Sequence, residues 1–163
     1  MTHLYFALAC LALLAVVAVQ DYLVPALRQE TISSGLTGHY HVALDAAFVV
    51  LAVALIFAFR GHGVSSILAD GSAVFLVLTG FTGTATVHIP QGERWHTICT
   101  AITFVLAIAL QFLSNGHNYA LWVLTLGGTL FPIATHFLVP NPSVTEKVGV
   151  TQLCLWLIAW SLS

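Results

Sequence analysis

Apolar residues in this chain do not alternate with polar ones as on a half-buried helix or strand; they fill long runs broken by short polar stretches. Six runs, 4–22, 40–59, 64–87, 95–113, 119–139 and 147–162, are each about long enough to cross a hydrocarbon core of roughly 30 Å as a helix. They consume most of the sequence and leave little for an aqueous domain. The pattern predicts an all-α integral membrane fold, a compact six-transmembrane-helix bundle forming one domain over residues 1–163.

The breaks between runs share a form. Three runs end in a short segment closing on proline, Asp21-Tyr22-Leu23-Val24-Pro25, Thr86-Val87-His88-Ile89-Pro90 and His136-Phe137-Leu138-Val139-Pro140. The runs that follow open at His41, His96 and Glu146. Six spans place both ends of the chain and the connections 60–63 and 114–118 on one face, side A. The connections 23–39, 88–94 and 140–146 then fall on the opposite face, side B, together with His39, His41, His88, His96 and His136.

An internal repeat strengthens this layout. Residues 41–63 align without gaps to 96–118, and ten of the 23 positions are identical, among them His41/His96 and the pairs Gly61-His62/Gly116-His117. Apolar similarity alone accounts for the Ala, Val and Leu matches but less readily for the shared ends. The alignment predicts a duplicated helical hairpin, with candidate repeats 41–90 and 96–140 running in the same direction through the membrane. The first and last spans could form a third, split copy, giving a pseudo-threefold arrangement.

Composition agrees with the pattern. Hydrophobic residues make up 59% of the 163 residues and charged ones only 6%, with a mean hydropathy of +0.97, far outside the range of soluble domains. The implied environment is a lipid bilayer, with room for membrane-protein partners. A net charge of -2 without a basic cluster gives no nucleic-acid surface. The first run lacks a basic start and a small-x-small cleavage site, so it reads as a retained span. Arg28, Arg94 and Lys147 on side B against Arg60 on side A nominally turn side B towards the cytoplasm, but so few charges leave the orientation open. Cys10, Cys99 and Cys154 form no CxxC or CxxCH pattern and read as packing residues at different depths.

Candidate chemistry gathers on side B. Asp45 lies one turn beyond His41, and inserting such a carboxylate costs roughly 2.5–3.5 kcal/mol on insertion scales, so it calls for an internal partner or a wet cavity. In the fourth span His96, Thr100, Thr103 and Ala107 share a narrow helical face. Ser72, Thr79, Thr82 and Thr86 mark the third span, and Thr125, Thr129, Pro132 and His136 the fifth. Small and hydroxyl residues of this kind serve close helix packing without any substrate. Imidazole nitrogen and carboxylate oxygen both coordinate zinc or iron, so His41, His96 and Glu146 are the candidate metal ligands, with His88, His136 and Asp45 as additional ones. The competing reading is an interfacial network of histidines solvated by headgroups or paired with Asp21, Asp45, Glu93 and Glu146.

Several functions fit this residue set. The leading expectation is a small integral membrane binding or accessory subunit, with a His/carboxylate site at one membrane face. A metal-dependent hydrolase of a lipid or other amphipathic substrate is the enzyme alternative, with Asp45 or Glu93 as base. A b-type haem between His41 and His96 or His136 is less favoured, since no second histidine layer follows at matching depth. A proton or small-solute pathway through His41, Asp45, His96 and Glu146 lacks a broken helix, apart from Pro132 after Gly127-Gly128. Gly61-His62 and Gly116-His117 read as tight-turn residues.

The order Val87-His88-Ile89-Pro90, Gly92, His96, then Thr145-Glu146-Lys147-Val148-Gly149 leading into Leu155-Trp156-Leu157, resembles the bacterial and archaeal multi-span membrane family catalogued as domain of unknown function 998. The resemblance covers most of the chain. It implies a six-helix integral membrane fold, draws attention to His96 and Glu146, and supplies no reaction. The chain has Ile89-Pro90 where that family commonly has phenylalanine-proline, and its first loop lacks the family's serine-aspartate pair.

Overall fold

A computed structural model describes residues 2–23, 41–85, 92–138 and 142–163, all in helices and the turns between them. The helices are α1 (Thr2–Leu23), α2 (His41–Ala58), α3 (Val64–Ala85), α4 (Gly92–Ser114), α5 (Tyr119–Leu138) and α6 (Pro142–Leu162), with no strand among the described residues. Each predicted run therefore forms one helix. Two of them, α3 over Val64–Thr82 and α4 over Arg94–Ser114, carry stretches long and apolar enough to cross a membrane. The corresponding stretches of the other four are shorter: Phe6–Val19, Asp45–Ala58, Tyr119–Phe131 and Lys147–Leu162.

Local chemistry sets the helix boundaries. Gly61 and Gly63 follow α2, and Gly116 follows α4, at positive φ values of 83°, 59° and 52°. An L side chain rarely adopts that backbone, so glycine is what allows these tight reversals. The aligned pair Gly61/Gly116 thus has a shared conformational reason. Asn118 then caps α5, its Oδ1 accepting from the Ala120 and Leu121 amides at 3.0 and 3.4 Å. Pro142 opens α6 at a first-turn position where its missing N–H loses no helical bond. Within α5 the helix runs unbroken through Pro132, so the only candidate for a discontinuous span is continuous.

The helices form a ring. α1 packs on α2, α2 on α3 and α3 most extensively on α4, while α6 packs on α1 and α5. α4 makes only slight contact with α5 and α6, so α5 leans outward against α6. Among the described side chains α5 buries just Leu121 and Thr125. The core is built at helical spacing from Phe6, Cys10 and Leu13 of α1, Phe48, Leu51 and Leu55 of α2, and Leu153, Cys154, Trp156 and Leu157 of α6. Large apolar side chains also cover the outside, including Leu8, Val53, Phe57, Val74, Phe81, Val105 and Leu130.

Ring contacts fix which ends lie together. Trp160 of α6 stacks on Phe59 at the end of α2, with centroids 4.1 Å apart. Phe6 of α1 and His62 of the α2–α3 turn meet the same indole edge-on. The start of α1, the α2–α3 turn and the end of α6 therefore share one end of the bundle, the end designated side A.

Candidate functional site

On the side B half, the His96 side chain is closed off from solvent. It sits in the second turn of α4, only 8% exposed, because α3 and α4 pack closely along this face. Its Nδ1 lies 3.0 Å from the Thr79 carbonyl oxygen on α3. A carbonyl can only accept, so Nδ1 carries the proton, and in the neutral ring Nε2 then keeps its lone pair. The Thr82 hydroxyl also donates towards that carbonyl at 3.2 Å, besides its own-helix bond to Leu78 at 2.7 Å. This fixes the ring from one side and leaves the other nitrogen able to take a proton or ligate a metal.

Asp45 approaches the same stretch of α3 from α2. A Cβ built on Gly80 would lie 3.0 Å from Asp45 Oδ1, so the bare glycine is what lets the carboxylate come this close. Asp45 and His96 thus bracket the adjacent residues Gly80 and Thr79, one from α2 and the other from α4.

The remaining predicted site residues divide by what is described. His41, Glu93, His136 and Glu146 have backbones in α2, α4, α5 and α6, but their side chains lie outside the described residues, and His88 lies outside them altogether. Of the proposed set His41, His96 and Glu146, only the His96 side chain is placed. Among the described residues no three His, Cys, Asp or Glu side chains gather to hold a metal. The backbone does set a correspondence: His96 and Glu146 each stand four residues into a helix, counting from Gly92 and Pro142.

Most hydroxyls of the predicted stripes turn back on their own helix. Ser72, Thr79, Thr103 and Thr129 donate to the carbonyls of Leu68, Phe75, Cys99 and Thr125 at 2.8 to 2.9 Å. They let helices approach without binding across the interface. Thr125 is different. It exchanges hydrogen bonds with Asn115, whose Nδ2 donates to Thr125 Oγ1 at 3.0 Å.

Asn115 belongs to an amide network that the sequence reading passed over. The Trp156 indole N–H donates to Asn115 Oδ1 at 2.8 Å. One turn back along α4, Gln111 Oε1 accepts from Gln152 Nε2 at 3.1 Å, and the same Nε2 reaches the Leu124 carbonyl on α5 at 2.7 Å. Gln111, Asn115, Thr125 and Trp156 are all closed off, at 2% exposure or less. The signal for it was present: from Ala107 the predicted face of α4 continues by another step of four to Gln111. An amide in an apolar run also has to find a partner.

Gly128 makes room for this network, since a Cβ there would overlap the Gln152 side chain. Beside it a groove of about 420 Å³ runs between α5 and α6, walled by Gly127, Phe131, Val148 and Leu155, with Lys147 on its lining. The cysteines correct one expectation. Cys10 and Cys154 do not lie at different depths: the two thiols meet across the α1–α6 interface, both fully buried. All three cysteines are free thiols.

No protein-family model, curated protein or solved structure matches this chain.

Proposed function

We propose that the chain is a six-span, multi-pass integral membrane bundle that acts as a small binding or accessory subunit of a membrane complex. Its binding site is the His/carboxylate cluster at side B, with His96 as the central ligand and His41 and Glu146 as the groups brought to it. The observation that carries this reading is the His96 geometry. A buried imidazole with Nδ1–H committed to a backbone carbonyl presents Nε2 in one fixed tautomer, the arrangement that orients a histidine for a metal or a proton donor. Asp45, held one residue along α3 by the bare Gly80, adds negative charge that favours a cation at the same level. Zinc or iron suits the nitrogen and carboxylate donors.

Support for the membrane setting comes from composition and surface together. The two longest apolar stretches meet the length needed to cross. Apolar side chains face outward on every helix, while Gln111, Asn115 and the Trp156 indole N–H meet inside the bundle.

The test is extraction of the full-length protein in mild detergent, followed by metal analysis and identification of chains that remain associated. Stoichiometric zinc or iron that His96→Ala removes, or a defined partner chain released by the same substitution while helical content holds, is the expected result. A metal-free protein recovered alone, with His96→Ala indistinguishable from it, overturns the reading.

A further inference from the structure

Inside the ring, five of the six helices line a partly open cavity of about 40 Å³, with Thr79 of α3, Thr100 and Thr103 of α4 and Cys154 of α6 on its wall. Its walls are mostly hydrocarbon. Three hydroxyls and one thiol interrupt them, and Thr100 stands out among these. Its Oγ1 is sealed from solvent and finds no hydrogen-bond partner among the described residues. An orphan hydroxyl in an interior surrounded by apolar helices is a standing cost that a bundle removes either with a partner or with a bound molecule.

The other two hydroxyls are arranged to supply that molecule's remaining bonds. Thr79 and Thr103 have already donated their protons, to the Phe75 and Cys99 carbonyls at 2.8 and 2.9 Å. Their oxygens therefore offer lone pairs and no hydrogen. A buried water typically makes about three hydrogen bonds, and a cavity of roughly 10–15 Å³ suffices to hold one. A cavity of about 40 Å³ exceeds that requirement.

We propose that this cavity is a hydrated chamber at the centre of the bundle. Thr100 Oγ1–H donates to a bound water there, and the water donates in turn to the Thr79 and Thr103 hydroxyl oxygens. The chamber begins one helical turn inside His96 on the same face of α4, so it carries the polar stripe from the side B end to the middle of the fold. Its ligand class is a neutral, water-sized hydrogen-bonding molecule. No charged side chain lines it among the described residues, which favours a neutral molecule over an ion.

The chamber is tested by pulsed X-ray radiolysis of the full-length protein in detergent. Hydroxyl radicals made from a trapped water oxidise the side chains beside it, and Cys154 is the most reactive group on the cavity wall. Cys99, buried on α4 but absent from that wall, is the internal reference. The expected result is Cys154 oxidation several-fold faster than Cys99, falling to the Cys99 rate in Thr100→Val and retained in Thr100→Ser. Equal rates at the two cysteines in the unsubstituted protein, or no fall in Thr100→Val, overturn the proposal. Thermal unfolding gives a second reading. A dry cavity makes Thr100→Val neutral or stabilising, because an unmet hydroxyl is lost, whereas a wet one lowers the midpoint.

Discussion

The indole N–H of Trp156 donates to Asn115 Oδ1 at 2.8 Å, tying the last helix to the turn that ends α4. Both side chains are sealed, so this bond has no competing water. Asn115 also serves Thr125, which makes one amide the joint between α4, α5 and α6.

Replacing Asn115 by leucine is expected to destabilise the bundle by about 1–3 kcal/mol, because the indole N–H and the Thr125 hydroxyl are left buried without their partner. In a Trp156→Phe background the same change costs less, since one orphaned donor is already gone. Reversible unfolding in detergent measures both, and equal costs in the two backgrounds would show that the indole bond contributes nothing.

Gly128→Ala places a methyl group inside the space Gln152 occupies. The amide has to leave, and its bonds to Gln111 and Leu124 are lost together. Overpacking of this kind costs roughly 1–3 kcal/mol. The double variant Gly128→Ala/Gln152→Ala is expected to recover much of the loss, and a midpoint no higher than that of Gly128→Ala alone counts against steric displacement as the cause.

The His96 tautomer is directly observable. Nitrogen-15 spectra of histidine-labelled protein are expected to show one imidazole protonated at Nδ1 and bare at Nε2, and that signal should vanish in His96→Gln. A His96 signal with the proton on Nε2 contradicts the carbonyl bond.

Multi-pass topology gives a fourth expectation. If all six helices cross, His62→Cys and His117→Cys react with a membrane-impermeant thiol reagent from one side only, and Arg94→Cys from the other. The three positions are exposed at their helix ends, so access is not limited by packing. Labelling of all three from the same side would rule out the six-span arrangement.

Much of the architecture was legible in the sequence because apolar runs and glycine turns are local signals. The runs gave six helices, and Gly61 and Gly116 gave the side A reversals. The inward face of α4 was readable through His96, Thr103 and Ala107, all of which are buried. Partner choice was not. The repeat implies that α4 pairs with α5 as α2 does with α3, yet α5 leans on α6. The reason lies in one contact from afar: Gln152 crosses the bare surface of Gly128 to reach Leu124 and Gln111. No periodicity within either helix announces that. The thiol pair was hidden for a simpler reason, since depth has to be counted from the helix ends. Cys10 is eight residues from Thr2 and Cys154 eight from Leu162, in helices that run in opposite directions.

The position of α6 also bears on how the protein is made. Gln152 and Trp156 are the partners of Gln111 and Asn115, and they emerge from the ribosome some 40 residues later, after α5 has been synthesised. Until α6 arrives, Gln111 lacks its Gln152 partner, Asn115 has Thr125 without Trp156, and the seam between α1 and α5 is open. Closure of the ring therefore waits for α6, and a chain stopped short of that helix leaves Gln111 without its Gln152 partner.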